Sequence, residues 1–206
     1  MAPLGVAGTK AATNVVGRSA DTGDLGVFAG RSAARNFHQA GRPGPQMALD
    51  LADALEKAGF TPDEIALSAT DALRAVAPEF GGVSKAADGK WRFEIDDSAS
   101  KIRPEYDFAG GTPAPFREVL DHPDLLDIAY PELGDAMTSA QFADSRSGMF
   151  APDMDPTTGE RFIAGITANG PDEVSARNVL LHEGQHGAQF MEDFAPGTEP
   201  MAFFDN

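Results

Sequence analysis

Leu180-Leu181-His182-Glu183-Gly184-Gln185-His186 is an HExxH run inside a helix-compatible stretch, and the fold is read outward from it. Side chains four apart share one helix face, so His182 and His186 can present ring nitrogens to a single metal ion. Glu183 between them is placed to act as general base on a metal-bound water. The chain holds only four histidines in 206 residues, which makes chance a poor account of this spacing. The competing reading is a pair of ordinary histidines on an amphipathic helix.

The chemistry of such a site is narrowed by composition. There is no cysteine, so thiolate zinc sites and disulfides are excluded, and any zinc must be held by histidine and carboxylate. Sixteen Lys and Arg stand against 32 Asp and Glu, a formal charge of -16. Nucleic acid and anionic membrane surfaces are therefore not expected as partners, because both need clustered cations. No apolar run reaches the length of a membrane span. The N-terminus lacks a charged start followed by an apolar stretch, so no secretory signal is expected.

Upstream of the motif, Gly170-Pro171-Asp172-Glu173 opens the helix with a proline and acids, and the helix should run to about Met191. Three strands are predicted near 135–142, 147–151 and 161–167. Short helical pieces precede them from Phe116 and from Asp124, the second ending at Tyr130-Pro131. Trp91-Arg92-Phe93-Glu94-Ile95 alternates as a half-buried strand should, and Asp88-Gly89 marks a tight turn, so residues 81–97 read as a β-hairpin with Trp91 as a core anchor. Thr61-Pro62-Asp63-Glu64 is a capping box that starts the second helix of a hairpin whose first helix stops at Gly59. Residues 1–43 are rich in small side chains without period, and read as a flexible N-terminal arm. Residues 44–109 then form a module of helical hairpin and β-hairpin, and 110–206 the domain carrying the motif.

Four runs carry a resemblance: Asp88 to Ser98, Asp121-His122-Pro123-Asp124-Leu125-Leu126 with Tyr130-Pro131-Glu132-Leu133, Leu180 to Gln189, and Asp193-Phe194-Ala195-Pro196-Gly197. The runs from Asp121 onward resemble the zincin-like domain of large polyvalent proteins from phages and prophages, and Asp88 to Ser98 resembles the segment that precedes that domain in the same proteins. The resemblance implies an α+β, zincin-like fold: a small β-sheet packed on the HExxH helix, with an N-terminal helical hairpin and β-hairpin. It implies a zinc cofactor on His182 and His186, with Glu183 catalytic. The substrate would be a peptide or protein, held along an edge strand. It also implies a virion or host-cytoplasm setting, where neighbouring virion subunits are the alternative partners if the shell is kept without catalysis.

Departures from that family matter. It usually carries bulky residues where Gly184 and Gly187 stand. Leu180, Gly184, Gly187 and Met191 form one stripe, so the glycines either admit close packing or mark drift. A catalytic zinc wants a third protein ligand. On a continuing helix Glu192 would point about 120° from His186, and Asp193 would sit about 10 Å further along the axis. The family's later "GEVEAR"-like run has no counterpart between Asp193 and Asn206, so the domain reads as C-terminally short. His122 is a remote candidate ligand, with a turn role favoured. Tyr130 is a candidate oxyanion donor, with a core role favoured. Asp96-Asp97 and Asp153-Asp155 lack the spacing of a calcium loop. Met201 is at most an echo of a methionine turn.

Overall fold

The structure is a computed structural model, and it describes residues 26–193. It is a mixed α/β fold with several small sheets. Strand β1 (Val27–Ala29) leads into α1 (Arg31–Gln39), followed by the antiparallel helix pair α2 (Gly44–Lys57) and α3 (Pro62–Val76). Strands β2 (Phe80–Lys85) and β3 (Trp91–Ile95) form the expected hairpin, with β1 added on the far side of β3. The capping box is made in full: the Thr61 hydroxyl accepts from Glu64 N–H and the Glu64 carboxylate accepts from Thr61 N–H. Gly59, at φ +87°, reverses the chain between the two helices.

Short pieces follow: β4 (Lys101–Ile102), β5 (Ala114–Pro115), α4 (Phe116–Val119), β6 (Leu120–Asp121), a π-helical turn (Asp124–Ala129) and α5 (Pro131–Gly134). Strands β7 (Met137–Phe142), β8 (Ser147–Met154) and β9 (Arg161–Gly170) make the sheet expected beside the motif, ordered β5-β7-β9-β8. β7 and β9 run parallel, and β8 is an antiparallel edge. Helix α6 (Glu173–Met191) then packs back across β9, β8 and β7. Asp172 caps it, its carboxylate accepting from Ser175 N–H at 2.7 Å. Among the described residues no helix is long and apolar enough to cross a membrane.

The expectation of an arm to residue 43 is corrected from residue 26 onward; residues 1–25 lie outside the described residues. Val27, Ala29, Ala33, Ala34 and Phe37 are all completely buried. Phe37 meets Phe80 and Phe93 edge-on, at centroid distances of 5.0 and 6.0 Å. Arg42 stacks on Phe37 and Phe80 and pairs with Glu79 and Asp124, tying the end of α1 to β2 and the π-helical turn. The buried apolar side chains from Val27 to Ala188 belong to one cluster. Small side chains had hidden this burial: alanines fill close contacts without producing a periodic apolar stripe. Trp91 is the core anchor expected, buried with its indole N–H donating to Glu56 at 2.7 Å.

The two helix glycines prove unlike. A methyl group at Gly184 would sit at ordinary contact distance, 3.6 Å from Phe116. One at Gly187 would lie 2.5 Å from Cδ1 of the fully buried Leu133. Gly184→Ala should therefore stabilise the protein by about 1 kcal/mol through helix propensity. Gly187→Ala should instead destabilise it, by about 1–2 kcal/mol of overpacking. Urea unfolding midpoints of the two variants test this; equal shifts would remove the packing role of Gly187.

Candidate functional site

Helix α6 buries one side against the sheet and the segment Phe116–Leu133, and leaves Asn178, His182, His186 and Gln189 on a half-exposed stripe. The helix is unbroken through the motif, so the i,i+4 spacing becomes a real juxtaposition. The rings of His182 and His186 stand at 81° with centroids 4.8 Å apart. Zinc–nitrogen bonds of 2.0–2.1 Å at a tetrahedral angle put two imidazole centres about 5 Å apart. The pair thus matches, in donor type and ring spacing, two of the three protein ligands that a catalytic zinc needs. Burial, then the neighbouring His186, holds the His182 imidazole below its ordinary range, which keeps it neutral and ligand-competent.

Glu183, about 100° around the helix from His182, faces the edge strand β8. It is only 6% exposed. The backbone N–H of Phe150 on β8 donates to its carboxylate, and the carboxylate rests against Gly148, where any side chain would collide with it and with Val179. Burial pushes the carboxyl up to about 7, against the pull of that single N–H. A carboxyl poised near neutrality can both take and return a proton.

Glu192 is committed elsewhere. Its carboxylate accepts from Ser32 N–H at 3.1 Å and Ala33 N–H at 2.9 Å, capping α1 in place of a side chain at Gly30. The Tyr130 hydroxyl donates to the same carboxylate at 3.1 Å. Tyr130 is therefore a buried core residue; burial and Glu192 raise its hydroxyl well above the ordinary range. Asp193 pairs with Arg161 at 2.9 Å. His122 is 5% exposed at the head of the π-helical turn, where its carbonyl accepts from Leu126 N–H. Its Nε2 has no hydrogen-bond partner, and burial draws its imidazole down. The acids Asp96, Asp97 and Asp155 accept backbone N–H groups from Ser98, Gly26 and Thr157, which are turn and loop contacts. Met201 lies outside the described residues. Among the described residues, no group of three metal-binding side chains comes together.

Four participants were not foreseen. Gln185 clamps β1: Phe28 N–H donates to its Oε1 at 2.6 Å, and its Nε2 donates to Phe28 O at 3.2 Å. Gln189 Oε1 lies 3.3 Å from His186 Nδ1. Gly148 and Phe150 supply the cradle for Glu183. Only Gln185 and Gln189 had a local signal, as amides on or beside the motif. The Gly148-Met149-Phe150 run carries nothing that marks it as a partner of residue 183. Compared with family models, curated proteins and solved structures, the chain matches none.

Proposed function

We propose that this protein is a zincin-like, phage- or prophage-encoded zinc metallopeptidase that hydrolyses peptide bonds at its HExxH site. The observation that carries the reading is the His182–His186 pair on an unbroken α6 with Glu183, the residue between them, held against β8, the edge strand of its sheet among the described residues. The four resembling runs support the family. His182 and His186 would hold the ion, which when bound supplies a polarised water and a Lewis acid for the substrate carbonyl. The chain's own work is the rest. The outer edge of β8 offers main-chain groups to an extended peptide. Phe150 and Phe190, with ring centroids 5.7 Å apart, give that side of the site an apolar wall. Glu183 takes the proton from the attacking water and returns it to the leaving amine.

A second reading is favoured by the position of Glu192: a virion-associated or assembly protein that keeps the zincin shell without hydrolysis. With Glu192 capping α1, two imidazoles alone would hold zinc weakly. Elemental analysis and zinc titration separate the two. The peptidase reading expects one zinc per chain, lost in both His182→Ala and His186→Ala. A protein that binds no zinc when titrated overturns it and leaves the structural role.

A further inference from the structure

We propose that Gln189 is the positioning residue of the histidine pair, holding His186 with its proton on Nδ1 and its Nε2 lone pair turned outward as the metal-binding nitrogen. This rests on the zinc-site reading above but concerns a residue that reading does not use. Gln189 lies one turn beyond His186 on the same half-exposed stripe of α6, and its Oε1 is 3.3 Å from His186 Nδ1. A carboxamide oxygen has lone pairs only, so with that oxygen turned to the ring Nδ1 carries the proton, whereas a reversed amide would donate to Nδ1 instead. An imidazole with a fixed Nδ1–H has one free lone pair, and it is on Nε2. The ring is confined from a second side as well. Phe150 lies at 6.5 Å with its plane tilted 32° to the imidazole, and is itself backed by Phe190, over which Arg161 stacks at 4.0 Å.

The amide supplies what the two-histidine set needs most. With few protein ligands, affinity depends on each ring being oriented and in the right tautomer before the ion arrives. Removing a partner of a ligating histidine generally costs about 10–100-fold in metal affinity. A carboxylate at the same position would accept the proton more strongly and raise the basicity of Nε2.

Two measurements test the proposal. Long-range proton–nitrogen NMR of the metal-free protein at pH 8 reads the His186 tautomer directly. The parent should carry its proton on Nδ1, and Gln189→Ala should shift His186 toward the Nε2–H form. Competition titration with zinc alone should show about tenfold or greater weakening in Gln189→Ala, and recovery to at least parental affinity in Gln189→Glu. Thermal melts of all three should coincide, because the amide packs on the surface stripe. A parent His186 protonated on Nε2 means the amide is reversed and donates instead, which overturns the proposal. So does a Gln189→Ala protein that binds zinc as the parent does. A parent that binds no zinc at all, yet shows the Nδ1–H tautomer lost in Gln189→Ala, upholds the positioning role and defeats the peptidase reading instead.

Discussion

Glu183→Gln is expected to lower peptide hydrolysis by about 10²–10⁴-fold, the usual worth of a positioned general base, with zinc content unchanged. Glutamine has the same shape, so its carbonyl oxygen can still accept the Phe150 N–H and rest on Gly148. What it lacks is the proton-carrying carboxylate. The same variant has a stability signature that needs neither metal nor substrate. Burial raises the folded-state carboxyl to about 7 from an ordinary value of 4.5, so between those values the folded protein binds more protons than the unfolded chain. Stability from this group is therefore fully present below about 4.5 and is lost as pH rises through 7. In chelator, Glu183→Gln should exceed the parent by about 1–2 kcal/mol at pH 8 and by little at pH 5. Urea unfolding at the two pH values reads the difference. An equal effect at both would mean the carboxyl is not held in its cradle. Undiminished hydrolysis would remove Glu183 from the chemistry.

The other large effect is expected at Glu192. Glu192→Ala strips two N–H groups at the start of α1 of their acceptor and leaves the buried Tyr130 hydroxyl without one. Losing a cap costs about 1 kcal/mol, and a buried donor left unpaired costs about 1–3 more. The loss should thus be about 2–4 kcal/mol, with Glu192→Gln milder because its oxygen can still accept. Zinc affinity should not change in either variant, provided the protein is kept below its melting temperature. A variant that keeps its stability and loses zinc would make Glu192 the third ligand, and would require α1 to find another cap.

These two carboxylates show where reading from sequence ran out. Helix phase turns Glu192 about 120° away from His186, but it does not say what Glu192 faces instead. Its real partners, Ser32, Ala33 and Tyr130, are 62 to 160 positions away in the chain. The same distance hid the burial of β1 and α1. That segment is ordered by Phe80, Phe93, Gln185 and Glu192, and its own completely buried side chains are one valine, three alanines and one phenylalanine. Gly187 and Gly184 could not be told apart until Leu133 and Phe116 were in place beside them.

What the amino-acid sequence determined by itself was local. The Thr61–Glu64 capping box, the stop at Gly59, the Asp88-Gly89 turn, the alternation of Trp91–Ile95 and the helix from Asp172 to Met191 all follow from interactions within a few residues. The approach of His182 to His186 is of the same kind, because a helix turn alone brings residues four apart together. Tertiary structure decided the rest: that Glu183 lies buried against Gly148 and Phe150, that Glu192 serves α1, and that Gln185 holds β1. Each is a contact between segments distant in the chain, whose partner choice depends on the whole core closing and leaves no periodic trace in either segment.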